Sequence, residues 1–274
     1  MAIIDNLVSY WKLEEASGTR EDIHGTNDLT DNNTVTSNTG KIDTAGQFTR
    51  ANLEYLSIAD TASLSITSSL SINAWIYKDT MVPTSQTYAI VTKWQYDGAT
   101  NIASYRLIIN NNDSADDESL TFGKSTTGSD LQTLLVDLDT GFGGELAIQT
   151  WYMITGVFDD SANTLELFVN ATSIGSTSAA GGIADNGTEF EIGSDYETRT
   201  NDPGRHFNGR IDEVGIWSKA LSGAEITSLY NAGAGLAYPF TTTSIKTIDG
   251  LAKASVSTVD GLANASVKTW NGLA

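Results

Sequence analysis

The sequence predicts an all-β fold, in which two antiparallel sheets form a sandwich followed by one short helix and a repetitive tail. Three observations support this prediction. Short segments of alternating apolar and polar residues follow one another from Val8 to Trp217, and Gly, Asn, Asp, Ser and Thr separate them. The signals that begin and end a helix stand together between Leu221 and Gly233. The final residues, from Ile245 onward, repeat with a period of eleven.

The strands are predicted from their two-residue alternation. Leu70–Tyr77 and Thr164–Asn170 alternate cleanly, which is typical of strands with one face in the core. Trp151–Phe158 is apolar on both faces and is predicted as a central strand. The residues predicted to face the core are Ile72, Ala74 and Ile76 in the first segment and Leu165, Leu167 and Val169 in the second. Further predicted strands are Glu54–Ile58, Tyr88–Trp94, Tyr105–Asn110, Ser119–Phe122, Leu131–Leu138, Glu189–Gly193 and Gly209–Trp217.

One helix is predicted after the last of these strands. Ser222 and Glu225 have the spacing of a capping box, in which the side chains of the N-cap and third helical residues bond each other's backbone N–H groups. An apolar stripe follows, and Gly233 is placed to end the helix. The predicted helix is short, and we expect it to act as a lid on one end of the sandwich.

The tail consists of three copies of one unit. The copies begin at Ile245, Val256 and Val267, and each carries an Asp-Gly or Asn-Gly pair at the same position. These pairs tolerate the positive φ of a tight hairpin turn, so each copy is predicted to form strand, turn and strand. Such a small unit cannot bury its apolar face alone, which predicts packing against other subunits or a shell protein. The predicted assembly residues are Ile245, Ile248, Leu251, Val256, Val259, Leu262, Val267, Trp270 and Leu273.

Length and composition suit one domain, residues 1–240, followed by the tail, residues 241–274. The net charge is −19, and because the tail has one more Lys than Asp, the body carries −20. So acidic a body is expected to repel nucleic acid and anionic membranes. Cysteine is absent, which excludes disulfides and thiolate chemistry. The N-terminal residues lack the pattern of a classical secretory signal, and no apolar run is long enough to span a membrane.

Several segments resemble the laminin G-like, concanavalin A-like jelly rolls. The strongest is the closing strand and helix, "NGRIDEVGIWSKALSGAEITSLYNAG", from Asn208 to Gly233. The opening "LVSYWKLEEASGTREDIHGTN" and the middle segments "LSINAWIY" and "WYMITGVFD" also fit. The resemblance covers about Leu7 to Ala237 and implies a jelly-roll sandwich. It implies less about function, because this superfamily includes lectins, adhesion modules, enzyme accessory domains and virion proteins.

Sequence motifs give little support for an enzyme. The two histidines, His24 and His206, belong to no metalloprotease motif, and neither a phosphate-binding loop nor a nucleophile elbow is present. Glycosidases on this fold carry closely spaced acids on one strand. Glu189 and Glu191, with Asp195 beyond them, come nearest to that spacing but lack the central Asp, so we interpret them as the solvated face of a strand.

A structural calcium ion is implied by the resemblance. The positions that match the family's ligands are Asp22, Asn27 and Asp212. Calcium takes six to eight oxygen ligands, so backbone carbonyls would complete the set. The match is weakened by Ile23 and His24, which stand where the family commonly has small polar residues. In the alternative interpretation, the two aspartates cap turns by accepting backbone hydrogen bonds.

Two loop regions suit carbohydrate recognition, which uses aromatic faces beside amides and charged groups. The first, Lys93–Asn101, contains Trp94 and Tyr96 on the same side of an extended segment. The second, Ser194–Asn208, is a long loop, a favoured location for binding residues. Its predicted ligand residues are Tyr196, Arg199, Arg205 and His206. In the alternative interpretation Trp94 belongs to the core, and the loop only pairs charges.

The sequence therefore supports two hypotheses about function. In the first, the chain is a virion structural protein, such as a bacteriophage fibre, decoration or surface protein, with a lectin-like domain facing outward and a tail used in assembly. The repeats and the "YNAGAGLAYPF" segment resemble the ends of phage structural proteins. In the second, the chain is a secreted or cell-surface carbohydrate-binding or adhesion module of a bacterium. The expected partners are copies of itself, other virion proteins and a cell-surface glycan, without nucleic acid or membrane insertion.

Overall fold

A computed structural model describes residues 2–96, 101–111, 117–197 and 205–240, and four two-residue strands in the tail. For residues 96, 101, 196, 197 and the tail strands, only the backbone is described. The strands of the body are β1 (Leu7–Trp11), β2 (Thr30–Asn32), β3 (Thr36–Thr39), β4 (Thr44–Phe48), β5 (Tyr55–Ile58), β6 (Leu70–Lys78), β7 (Gln86–Tyr96), β8 (Asn101–Asn111), β9 (Glu118–Lys124), β10 (Gln132–Asp137), β11 (Trp151–Asp159), β12 (Thr164–Val169), β13 (Thr172–Ser178), β14 (Phe190–Ile192), β15 (Tyr196–Glu197) and β16 (Gly209–Trp217). The helices are α1 (Leu138–Gly141) and α2 (Gly223–Tyr230).

These strands form two sheets of eight. The first has the order β13-β12-β11-β6-β16-β4-β3, with β1 also paired to β16. The second has the order β10-β9-β8-β7-β14-β5-β2, with β15 also paired to β7. Every pairing is antiparallel except that of β15 with β7. The predicted two-sheet antiparallel sandwich is confirmed.

The apolar core lies between the inner faces of the two sheets. Trp11 of the first sheet stacks on Phe190 of the second, with ring centroids 5.1 Å apart. Close approach is also required at Gly156, where an added Cβ would lie 2.6 Å from the ring of Phe122. The residues predicted to face the core from β6 and β12 all belong to this cluster: Ile72, Ala74, Ile76, Leu165, Leu167 and Val169.

The predicted strands are confirmed, with ends that differ by up to four residues. Unpredicted strands include the polar edge strands β2, β3 and β13, whose many Thr, Ser and Asn residues gave little alternation in hydrophobicity. The short strand β4, which lies between β16 and β3, was also not predicted. Edge strands need only one apolar face or none, so hydrophobic periodicity predicts them poorly.

The predicted helix is confirmed as α2. Ser222 and Glu225 form the complete capping box. Two details differ from the prediction. Asn231, at φ 49°, takes the left-handed conformation that ends the helix, two residues before Gly233. Tyr230 stacks on Trp75, whose side chain is on the opposite side of β6 from the core residues, with centroids 5.8 Å apart. The helix therefore covers part of the outer face of the first sheet rather than one end of the sandwich.

The chain divides into two compact units, Met1–Ala237 and Tyr238–Ala274. Within the second unit, β17 (Thr247–Ile248) pairs with β18 (Leu251–Ala252), and β19 (Thr258–Val259) pairs with β20 (Leu262–Ala263), both antiparallel. These pairs stand at matching positions in the first two sequence copies. The predicted assembly residues Ile245, Val256, Val267, Trp270 and Leu273 lie outside the described residues. Among the residues that are described, no helix has both the length and the apolar character needed to cross a membrane.

Candidate functional site

The outer face of the second sheet is polar but largely shielded from solvent. At its centre Thr92 of β7 stands between Glu191 of β14 and Arg106 of β8. Thr92 is fully buried, and Glu191 is 2% exposed. Neighbouring residues of a strand point to opposite faces. Apolar residues such as Leu107 therefore point into the core, and the polar residues next to them lie on the outer face.

Arg106 is held from two sides on this face. Its guanidinium lies 4.5 Å from the ring centroid of Trp94, and one of its nitrogens is 3.5 Å from the Asp195 carboxylate. The same Asp195 oxygen accepts a 2.9 Å hydrogen bond from Arg205. Cation–π contact and charge-assisted hydrogen bonds both favour a fixed guanidinium orientation.

Two hollows flank this arrangement. One, of about 310 Å³, is lined by Ala59, Asp60, Trp94, Gln95, Gly187, Thr188 and Glu189. The other, of about 240 Å³, is lined by Ser85, Gln86, Thr87, Arg106, Asn110, Asn111 and Arg205. We call them the Trp94 hollow and the arginine hollow. Because Arg106 lies over Trp94, the two hollows adjoin the same pair of side chains.

The Trp94 hollow offers groups that bond sugar hydroxyls. Gln95 supplies an amide, Thr188 a hydroxyl, and Glu189 and Asp60 supply carboxylates. The hydrogen bond from the Lys93 ammonium, 2.8 Å away, lowers the pKa of Asp60. This carboxylate is therefore an acceptor at neutral pH.

The predicted ligand residues are brought together in part. Tyr196 pairs with Gln95 through the backbone, and Glu197 pairs with Tyr96, so the two predicted loop regions meet at the end of β7. Arg205 reaches the same face through Asp195. His206 instead packs edge-on against Tyr55, at a centroid distance of 5.9 Å. Arg199 lies outside the described residues.

Two interpretations from the sequence require correction. Trp94 is 3% exposed and Arg106 covers its ring, so in this conformation it does not present an open face for a sugar to stack on. Glu189 is partly exposed, but Glu191 is only 2% exposed, so the two glutamates do not form a solvated strand face. Sequence analysis missed Arg106 entirely, because a single Arg within an alternating strand has the pattern of any outward-facing residue.

The predicted calcium ligands are already engaged in hydrogen bonds. Asp22 accepts bonds from the backbone N–H groups of Tyr10, His24, Gly25 and Asn27, at 2.8–3.1 Å. The side-chain oxygen of Asn27 accepts from the hydroxyls of Thr61 and Ser63. Among the described residues, no group of three or more His, Cys, Asp or Glu side chains could hold a metal ion. As they stand, these residues do not fit a calcium site; Asp22 has the backbone-capping contacts of the alternative interpretation, and calcium stays a prediction.

Asp212 differs, because it keeps an unused oxygen. One carboxylate oxygen accepts from the N–H groups of Lys41 and Ile42, while the other is buried without a hydrogen-bond partner among the described residues. The neighbouring Glu213, at φ 49°, lies in an irregularity of β16, and both acids are buried. Burial raises the pKa of Asp212 to about 8 and that of Glu213 to about 7. Tyr10 donates its hydroxyl to Glu213.

The fold and this polar face define a lectin-like jelly-roll domain. The family model described as the concanavalin A-like lectin/glucanases superfamily (Laminin_G_3) matches residues 50–227. The chain belongs to this superfamily, as the resemblance in its sequence predicted. No curated protein sequence matches the chain.

Several solved structures share this fold. The binding domain of Paraclostridial Mosquitocidal Protein 1 is 18% identical with a TM-score of 0.64, and the match covers 84% of this chain and 53% of that one. Domain 4 of AbnA, an extracellular arabinanase from Geobacillus stearothermophilus in complex with arabinotriose, is 14% identical with a TM-score of 0.56, covering 81% and 97%. The binding domain of botulinum neurotoxin DC in complex with SialylT is 14% identical with a TM-score of 0.56, covering 84% and 52%. This chain thus spans about half of each toxin domain.

Stability should depend on pH through Asp212. Its pKa of about 8 in the folded protein exceeds the value of about 3.9 expected when unfolded, so the folded state holds a proton that the unfolded state releases. The unfolding midpoint should therefore fall as pH rises from 5 to 9. Asp212→Asn keeps an oxygen for Lys41 and Ile42 and should flatten the fall, leaving the part that Glu213 contributes. Asp139→Asn, at an exposed position, is the control. Equal slopes in wild type and Asp212→Asn would contradict the account.

The same thermal scans test calcium when they are run with the ion and with a chelator. A bound ion raises the midpoint by mass action, and at Asp212 it would also favour the charged carboxylate and remove the pH dependence. An unchanged midpoint at pH 7 would remove the calcium prediction.

Proposed function

We propose that the body binds an oligosaccharide on the outer face of its second sheet, and that the chain is a virion structural protein with this domain facing outward and its tail used in assembly. The observation that carries the binding proposal is the pair of hollows beside the Arg106–Trp94 contact. They offer amides, hydroxyls and charged groups on a rigid sheet, beside a tryptophan ring whose face Arg106 covers, and such polar groups bond sugar hydroxyls. The role proposed for the body is binding rather than catalysis.

The related structures add support. Domain 4 of AbnA is described in complex with arabinotriose, and the neurotoxin DC binding domain in complex with SialylT. Their identity to this chain is low, so they support a binding use of the fold without indicating which glycan this chain takes. An extracellular or surface-exposed location follows from the proposal, since such glycans are met outside the cell.

The virion role is supported by the tail. Two copies of its unit contain antiparallel strand pairs at matching positions, and an isolated two-stranded pair is marginal in water. A surface supplied by other subunits would stabilise these pairs. The alternative is a secreted or cell-surface carbohydrate-binding module of a bacterium. Stoichiometric presence in purified particles supports the virion role, whereas presence only in cell-envelope fractions excludes it.

A glycan array probed with the full chain tests the binding proposal. Gln95→Ala should weaken binding to the best glycan by about 2–10-fold, because one hydrogen bond contributes about 0.5–1.5 kcal/mol. Tyr96→Ala and Tyr196→Ala should each reduce the free energy of glycan binding by ~1–3 kcal/mol where the ring stacks on a sugar. This value is taken by analogy from aromatic side chains that stack on nucleic-acid bases. Gln132→Ala is a matched control, since Gln132 is on the edge strand β10 and lines neither hollow. Absence of binding on a broad array, with protein of verified oligomeric state, would contradict the proposal.

Deleting residues 241–274 tests the assembly role. The truncated protein should remain folded and soluble, because the body has its own core, but it should no longer assemble. Light scattering gives its mass in solution, and incorporation into particles gives its function. A truncated protein with the oligomer number of the full chain, still incorporated into particles, would show that the tail is not the assembly element.

A further inference from the structure

The arginine hollow has an unusual charge for this protein. The chain contains 34 acidic and 15 basic residues. Yet the hollow's lining among the described residues consists of two arginines and five neutral polar residues, with no carboxylate. Ser, Gln, Thr and Asn complete the wall. The Asp195 carboxylate, which both arginines contact, offsets one of their two positive charges. The remaining net positive charge attracts an anionic group although the protein as a whole is strongly acidic.

The side chains of Arg106 and Arg205 are held in place by their neighbours and are also accessible to solvent. Trp94 and Asp195 fix Arg106, and the same Asp195 oxygen holds Arg205 at 2.9 Å. Their side chains are 17% and 31% exposed, so solvent-borne groups reach them. A guanidinium offers five N–H donors in a planar fork that matches a carboxylate.

A polar pair lies beside the arginines on the outer face. Asn111 shares the side of β8 that carries Ile109 into the core, and Gln86 pairs with it, so these two side chains point inward. Thr87 and Asn110 are the paired residues on the same face as the arginines, and the Thr87 hydroxyl donates to the Asn110 side-chain oxygen at 3.0 Å. The Thr87 oxygen keeps lone pairs that accept from a sugar hydroxyl. Sulfate has no hydroxyl to donate, whereas a sugar has several.

We infer that the arginine hollow binds the carboxylate of an acidic sugar residue, with Arg106 and Arg205 as its cationic partners and Thr87 as an acceptor for one of its hydroxyls. This inference rests on the proposed carbohydrate binding and names its substrate class. The ligand is then an oligosaccharide with a neutral residue in the Trp94 hollow and a uronic or sialic acid residue in the arginine hollow. Both hollows adjoin the Arg106–Trp94 contact, so one short chain reaches both.

The test compares glycans that differ only in charge. The full chain is first probed on a broad array of neutral and acidic glycans. It is then titrated with two pairs, trigalacturonate with its methyl ester and sialyllactose with lactose, and with lactose that carries a sulfate ester. The carboxylated member of a pair should bind on the order of tenfold tighter, because charge-assisted hydrogen bonds are stronger than neutral ones. The preference should shrink as salt rises. Arg205→Gln should abolish it. Arg210→Gln, which alters an arginine on the first sheet that lies over Tyr77, should preserve it.

The outcomes separate the inference from the proposal on which it rests. Equal binding of neutral and carboxylated members, unaffected by Arg205→Gln, overturns the acidic-sugar assignment and leaves carbohydrate binding in place. Preference for the sulfate ester over the carboxylates also overturns the assignment. Binding to no glycan on the array overturns both. A lowered thermal midpoint identifies an Arg205→Gln protein that is misfolded. In that case Arg205→Lys, which keeps the charge without the planar fork, is tested in its place. A partial loss of the preference for carboxylated glycans then supports the inference, and an unchanged preference contradicts it.

Discussion

The structure depends on one constraint, the filling of the space between two sheets by the inner faces of their strands. Each strand sends alternate residues into this space, and the rings of Trp11 and Phe190 and the close approach at Gly156 join the sheets across it. Once the inner positions are apolar, every polar or charged side chain of a strand must lie on an outer face, at a strand end or in an irregularity. The polar groups with functional potential are therefore on the outer faces.

The two outer faces are used differently. On the first sheet, α2 covers Trp75 through Tyr230. On the second sheet, Asp195 contacts both Arg106 and Arg205, and a hollow lies on either side of these residues. Burying polar groups is costly unless they are paired, and here hydrogen bonds and ion pairs supply the pairing. The result is a rigid polar surface, which loses little conformational entropy when it binds a ligand.

Much of this fold was predictable from the sequence. Alternation identified β6 and β12, a run that is apolar on both faces identified β11, and the Ser222–Glu225 spacing identified α2, since these signals depend on neighbouring residues only. The edge strands β2, β3 and β13 were missed, because Thr-, Ser- and Asn-rich segments pair through their backbones without an apolar signature. The site was predicted in part: Trp94 and Arg205 were named, and the approach of their two loop regions was not. Arg106 and Asp195 come into contact with each other and with the other site residues only when distant parts of the chain are assembled. No local sequence pattern therefore indicates them.

The central claim is that the outer face of the second sheet is the ligand surface. Amide chemical shifts of the isotope-labelled protein, followed while the best-binding oligosaccharide is added, test this most directly. The account predicts that the largest changes fall on residues lining the two hollows, such as Gln95, Arg106, Thr188 and Arg205. Changes concentrated instead on the outer face of the first sheet, around Tyr77 and Arg210, would contradict it.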